Sequence, residues 1–537
     1  MIFPRVLLIY FLFLQFNELR RKHYFSVIMN MKKIVLFLFL SYSVCLSAQS
    51  SLSAPGISLG QLRYSSYIDL KGFRLDNGEY LICQSPLTNY PPPNLKYFEI
   101  YRLTEDLQSM VNPTFSPVRS SHFLYHGYDP DDRGVHSIRY VHDVKGDEYT
   151  VHHQHYQMAG NTCESKAVNT FSVKYGHRQR TSIRHAVSED RSQNAFLIPI
   201  RDNDDKLVNM TVVVTDKWGE EMWRIVLDRP FYKGVFGIRD MVVTNQGTVH
   251  LCLTNLSEGR LGILSIEEND YRFSDTETDF GIIEDVKLFR KKDGSYFIGG
   301  YYSDDPKEDA TGIFSLFYYP EEENFSTPFH RNLFKDPSGE IDKSKQYLYH
   351  KKFDLYCKNI HELQNGNLVL LGEQMQMKAE AHYDGQRTVI TYCYTFRNVF
   401  YHQFSPDGDE IAATALNKYQ YSVAGIPVQN YVNTACSFED FVIGNDVYLL
   451  FNDHNGNYGS FPLPVPEKYE VKYKKKMGKD NCIVEARIDE DGNVSKHVLK
   501  TGPGTEVFQR LLYCDNQTAI LLLTNLKSSR VCKLELE

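Results

Sequence analysis

Along this chain a polar turn is followed, again and again, by a burst of apolar, β-prone residues. The pattern runs as DNGEYLIC (Asp76 to Cys83), NQGTVHLCL (Asn245 to Leu253), KDGSYFIGG (Lys292 to Gly300), QNGNLVLLG (Gln364 to Gly372), GNDVYLLF (Gly444 to Phe451) and DNQTAILLL (Asp515 to Leu523). KGDEYTVHH (Lys145 to His153) and SQNAFLIPI (Ser192 to Ile200) are weaker copies. Each reads as a hairpin turn feeding a buried strand. No stretch carries a long helical periodicity.

One supersecondary unit used many times predicts a β-propeller. The central turn residues are Gly78, Gly146, Asn194, Gly247, Gly294, Gly366, Asn445 and Asn516, with spacings from 47 to 79 residues. Blades need roughly 40–50 residues, with insertions carried in surface loops. The expected fold is therefore all-β: a single propeller of seven or eight four-stranded blades over residues 49–537. The lower count applies if one weak signal is a second hairpin inside a blade. Outer strands are expected at Thr311 to Tyr319, Arg387 to Ile411 and Cys482 to Leu499, the last two containing Asp-Gly turns. The proline-rich pieces Tyr90 to Asn94 and Phe461 to Pro466 belong outside the sheets, because proline cannot donate to a ladder. The chain ends as a strand, VCKLELE (Val531 to Glu537), so the last blade reads as unfinished. The segment Leu62 to Leu70 is expected to supply the missing strand and close the ring.

The N-terminus changes the picture of where such a fold would reside. MKKIVLFLFLSYSVCLSAQ (Met31 to Gln49) has two lysines, an apolar core and small residues ending at Ala48. That is the form of a secretory signal peptide, assigned to residues 31–48. Its apolar core is short for a bilayer span, so the mature chain is expected to have none. Residues 1–30 precede the signal, where no signal peptide can be preceded in a true start. They are read as an over-called start that folds into nothing.

Charge narrows the partners. Residues 1–48 hold six Lys and Arg and one acidic residue; the remainder carries 53 basic and 66 acidic side chains, a net charge of −13. That balance argues against nucleic acid or an anionic membrane surface as a ligand. The one basic run, Lys468 to Lys479, is read as a solvated loop. The 37 Tyr and 33 Phe suit half-buried pleated surfaces. Nine cysteines remain after residue 48 and none forms a CxxC pair. Cys83, Cys252, Cys393, Cys482 and Cys532 lie inside apolar strands, where cysteine behaves as a small hydrophobe.

Candidate chemistry is sparse. His152, His153 and His155, with His136 and His142 upstream, form the densest histidine cluster. His153 and His155 would share one face of a strand, a spacing that can serve zinc or copper. No third ligand stands at a fixed spacing, and the favoured reading is histidines on the solvent face of a blade. Asp129 to Gly134 resembles the start of a calcium loop, but Arg133 and Tyr140 stand where oxygen ligands are needed, so it is read as an Asp-rich turn. The pairs Glu284-Asp285, Glu439-Asp440 and Arg239-Asp240 precede strands and are read as blade-to-blade caps; carboxylates in the channel could instead serve glycoside hydrolysis. Trp218, beside the turn Trp218-Gly219-Glu220, is expected near an exposed tip, with Trp223 following it. No catalytic, cofactor-binding or metal-ligating residue is assigned, and no cofactor is expected.

The stretches FEDFVIGNDVYLLFNDHNGN (Phe438 to Asn457) and ALNKYQYSVAG (Ala415 to Gly425) resemble a poorly characterised group of exported propeller-like proteins of Gram-negative bacteria with complex outer membranes. The resemblance covers about the last 200 residues and brings no catalytic motif with it. It implies an exported protein, periplasmic or associated with the outer membrane. The chain ends on a blade strand rather than a separate sorting domain, which points the same way. The expected function is non-catalytic binding of a protein partner in the cell envelope, as an accessory subunit of an outer-membrane assembly or translocon. The alternative is a carbohydrate-binding or glycoside-cleaving propeller.

Overall fold

The structure is a computed structural model. It describes residues 51–52, 57–58, 68–86, 97–107, 110–117, 122–129, 134–143, 148–159, 162–174, 183–201, 207–228, 236–255, 259–304, 310–335, 353–383, 388–424, 437–454, 471–472, 481–499, 507–524 and 529–536. The described chain is all β, in eight sheets that follow one another along the sequence, antiparallel except for one short parallel pair in blade 6. It is an eight-bladed propeller. The signal-peptide region, residues 1–30 and both proline-rich pieces lie outside the described residues.

The blades share one plan, in which four successive strands pair in order. Blade 4 shows it plainly: Phe236–Val243, Val249–Asn255, Arg260–Ile266 and Tyr271–Glu277. First strands touch first strands from blade 1 to 2, from blade 3 through 4 and 5 to 6, and from 7 to 8 and back to 1. Second strands lie between neighbouring blades and are buried on both faces. Val249–Asn255 and Tyr296–Ser303 are buried at every position. This is why the repeat reads as continuous apolar runs rather than an alternation. The fourth strand of blade 4, open to solvent, is polar almost throughout.

Eight apolar clusters fill the eight seams between consecutive blades. The cluster joining blades 8 and 1 sets Leu512, Ile520 and Leu522 against Tyr80, Ile82 and Leu103, so the ring is closed. Ring closure is completed in blade 8 by the N-terminal residues Ser51–Leu52 and Ile57–Ser58, which pair with Ser529–Glu535. The closing strand therefore comes from upstream of the expected Leu62 to Leu70. Ile68–Arg74 instead begins blade 1, because its own Tyr80–Pro86 partner follows only a turn away.

Seven of the eight turn signals mark the first hairpin of a blade. The recurring Asp or Asn fixes each turn through its own side chain: Asn77, Asp190, Asp293, Asn365 and Asp515 each accept from a backbone N–H two residues on. Two details differ from expectation. The turn of blade 3 is centred on Asp190 and Arg191, with Arg191 in the left-handed region (φ 62°), and Asn194 already lies in the following strand. Gly146 lies between the second and third strands of blade 2, His122–Asp129 being its first strand. The first and second strands of that blade are joined across the Asp-rich segment, where Asp129 pairs with Gly134. The Asp-Gly turns at Asp407-Gly408 and Asp491-Gly492 do join third to fourth strands in blades 6 and 7.

Candidate functional site

The inner carboxylates are blade clasps. The Asp240 carboxylate of blade 4 accepts from the Leu288 N–H of blade 5 at 2.9 Å. Asp285 of blade 5 accepts from the Cys357 N–H of blade 6 at 2.8 Å. Asp440 of blade 7 reaches back to blade 6, accepting from Asn359 Nδ2 at 2.7 Å and pairing with His361. In each clasp one partner sits where a first strand carries a one-residue bulge: Asp240 at Ile238/Asp240, Asp285 at Ile283/Asp285, and Asn359 at Cys357/Asn359. A bulge re-aims a side chain out of the pleat, here toward the next blade. Burial pushes the Asp285 carboxyl above its ordinary range. Arg239 turns to Thr254 Oγ1, and its carbonyl accepts from Arg184 of blade 3.

The histidines are not on a solvent face. As the strand period requires, His153 and His155 share a face, but that face is the seam between blades 2 and 3. His136 and His153 are 6% and 3% exposed. His136 Nδ1 and His153 Nε2 lie 3.0 Å apart, and the His136 ring sits 4.6 Å from that of His155, centroid to centroid. Trp218 closes the cluster edge-on, 5.1 Å from His136 and 5.6 Å from His155. It is therefore half-buried, not the exposed tip expected, and Trp223 packs on the apolar seam of blades 3 and 4. The reason is Gly219 (φ 82°), whose missing Cβ leaves the space that the His153 ring occupies. Among the described residues no group of three or more His, Cys, Asp or Glu could hold a metal. Residues 130–133 of the Asp-rich loop lie outside the described residues. Of the basic run, Val471–Lys472 forms a short strand parallel to Gln420–Tyr421 rather than a loop.

The feature most unlike a plain blade is in blade 6. Its second and third strands, Leu368–Tyr383 and Thr388–Phe404, are 16 and 17 residues long, against 7 or 8 in blades 4 and 5. The first strand, Asp354–Glu362, pairs only as far as Met375, so the remainder runs on as a hairpin arm. Gln420–Ala424 flanks the other side of the arm, along Tyr392 to Phe396. One face of the arm carries Met377, Ala379, Ala381 and Tyr383 opposite Tyr394, Tyr392, Ile390 and Thr388. Near the base this face is closed by buried Tyr394 and Phe396. Farther out it opens, with Met377, Tyr383 and Ile390 exposed at 44%, 73% and 47%.

A buried charged network fastens the base of the arm to blade 7. Glu373, at the register shift where the arm departs, pairs with Lys418 and accepts from the Ser437 hydroxyl. Glu373 and the Lys418 side chain are 1% and 0% exposed. Lys358 approaches the same carboxylate at 3.5 Å. Gln420 ties the ends together, accepting from Lys418 Nζ and the Ser437 N–H and donating to the carbonyls of Ser437 and Asn452. Ser437 is held in the left-handed region (φ 73°), a strained setting for a non-glycine residue that the network sustains. Burial alone would raise the Glu373 carboxyl; Lys418 and then Lys358 outweigh it and keep it below the ordinary range. A carboxylate so stabilised is a poor base, so the chemistry of this cluster is anchorage, not proton abstraction. Sequence reading missed it because its members lie tens of residues apart with no shared motif.

No protein-family model matches this chain, and no curated protein does. Solved structures do resemble it in fold. Prolyl oligopeptidase B from Galerina marginata, as the apo protein, is 10% identical with a TM-score of 0.40, covering 86% of this chain and 56% of that one. The C-terminal WD40 domain of Sif2 is 8% identical with a TM-score of 0.40, covering 90% of this chain and 99% of that one. This chain thus spans about half the length of the oligopeptidase. These likenesses concern the fold alone.

Proposed function

We propose that the propeller is a non-catalytic docking platform for a protein partner of the cell envelope, and that the arm of blade 6 carries the contact. The supporting observation is the exposed apolar face of Met377, Tyr383 and Ile390 on a hairpin with a rigid, buried base. Isolated exposed apolar residues need no explanation, but here three lie on one face of the same ladder, with Ala379 and Ala381 between them. The signal-peptide pattern of residues 31–48 and the resemblance to exported propeller-like proteins support an exported protein, periplasmic or outer-membrane-associated. A glycoside-cleaving channel is not favoured, because Asp240, Asp285 and Asp440 are engaged across the seams.

The test is affinity capture of the tagged chain from detergent-solubilised envelope of its source cells. The Met377→Glu, Tyr383→Glu, Ile390→Glu triple variant is run in parallel. A stoichiometric envelope protein captured by the unsubstituted chain and lost from the folded variant is the expected result. Recovery of the bait alone, or a partner indifferent to the three substitutions, overturns the reading and returns attention to glycans.

A further inference from the structure

The histidine cluster between blades 2 and 3 has a property that its burial and contacts define. His136 Nδ1 and His153 Nε2 at 3.0 Å can form a hydrogen bond only if one ring donates and the other accepts. With both rings neutral, one proton between them suffices. A further proton must go to His136 Nε2 or His153 Nδ1, and both atoms are screened from solvent. The turn of blade 3, Asp216 to Glu220, lies directly on this pair, with Gly219 over the His153 ring and Trp218 edge-on to His136. Lifting that turn would admit water to the rings.

Among the described residues, the charges acting on His153 do little to offset a buried imidazolium. On blade 3, Asp216 is the acidic group acting on His153, and its carboxylate already accepts from the N–H groups of Trp218 and Glu220. Lys217 stacks over Trp218, adding positive charge. His185 faces the same seam, hydrogen-bonded to Asn194 and influenced by Lys71 of blade 1. On blade 2, His155 lies beside His136, and Arg139 and His152 occupy the opposite face.

We propose that the seam between blades 2 and 3 is an acid-released joint: the His136–His153 pair holds the Trp218 turn while both rings are neutral and lets it go when the pair takes up a proton. Burial, and then the neighbouring His136, bring the His153 imidazole down to about 4, in keeping with this direction. A histidine lowered in the folded state binds protons more readily when released. Stability of the joint is full above the ordinary histidine range near 6.5 and is lost as pH falls from there toward about 4.

The chain has two tryptophans, so the Trp223→Phe variant leaves Trp218 as the reporter. Its acrylamide quenching is followed from about pH 7.5 to about pH 4.5, alongside far-ultraviolet circular dichroism. The expected result is a roughly twofold rise in the quenching constant before the strand signal changes. The His136→Gln, His153→Gln pair, which keeps a hydrogen bond but cannot titrate, should abolish that rise. Constant quenching until global unfolding, or the same rise in the glutamine variant, overturns the proposal. Should the variant not fold, hydrogen exchange of the turn in the unsubstituted protein decides. Greater exchange at about pH 5 than at about pH 7, corrected for intrinsic rates, supports the joint, and equal protection overturns it.

Discussion

Two buried polar clusters in the seams of this propeller solve the problem of burial in opposite ways. Between blades 2 and 3, His136 and His153 are buried ring to ring, and burial holds His153 toward its neutral form. Between blades 6 and 7, Glu373 and Lys418 are kept charged and paired, with Ser437 and Gln420 taking up the remaining hydrogen-bonding groups. The other seams are largely apolar, as where Leu251 and Leu253 of blade 4 pack on Leu197 and Val212 of blade 3. The neutral seam can be opened by one proton. The charged seam resists titration over the ordinary pH range but cannot tolerate the loss of either partner. The difference suits their positions: the charged seam roots the arm, and the neutral one holds a turn.

The comparison breaks most visibly if the charged seam is halved. Glu373→Ala strands the Lys418 ammonium in a site with no exposure. Removing one member of a buried ion pair costs about 3–5 kcal/mol. Urea denaturation should show that loss, whereas the Glu373→Met, Lys418→Met double variant should regain much of it. A single-variant loss below about 1 kcal/mol would mean that water reaches the site and that the two seams are not opposites.

Acid separates the seams next. His153, lowered to about 4 by burial, loses its contribution between the unfolded value near 6.5 and that folded value. A shift of that size corresponds to about 3 kcal/mol, spread over that interval. Glu373 is lowered below its unfolded value near 4.5, so its contribution is present above that pH and fades only below it. The denaturation midpoint should therefore slope in mild acid, and His153→Gln should flatten part of the slope. His185 and His250, also lowered to about 4 by burial, leave a residual slope in that variant. A midpoint flat from about pH 6.5 to about pH 4.5 would remove the distinction.

How much of this was legible depended on whether a residue's environment was local. Val249–Asn255 and its counterparts were readable because a strand buried on both faces is apolar at most of its positions. The turns were readable because Asn77, Asp293 and Asp515 cap their own backbone. Period-two reasoning placed His153 and His155 on one face correctly. It could not show that blade 3 covers that face, since the covering Trp218 arrives from another sheet. Glu373 and Lys418 were invisible for the same reason, meeting only after the arm leaves the blade. The N-terminal closure was anticipated in kind but assigned to the wrong segment, because Ile68–Arg74 looks equally strand-like and pairs locally first.

The clasps lie between the extremes of the two seams. Asp285→Ala leaves the Cys357 N–H without its acceptor and should cost about 1–3 kcal/mol. Asp285→Asn, which can still accept through its amide oxygen, should cost less. If both cost the same, the carboxylate's charge rather than its hydrogen bond is what the bulge presents to blade 6.

The smallest effect on stability is expected on the arm. Met377 is exposed and its neighbours Lys378 and Glu380 are polar, so Met377→Glu disturbs no buried contact. Surface substitutions of this kind usually change stability by less than about 0.5 kcal/mol. The denaturation midpoint and the acid slope should both match those of the unsubstituted chain, while capture of an envelope partner falls. That combination is informative because Glu373→Ala should weaken capture by a different route, loosening the root of the arm and lowering stability together. A Met377→Glu chain that lost stability as well would show that the apolar face is covered by the protein itself, and the arm would then be a packed element rather than a docking surface.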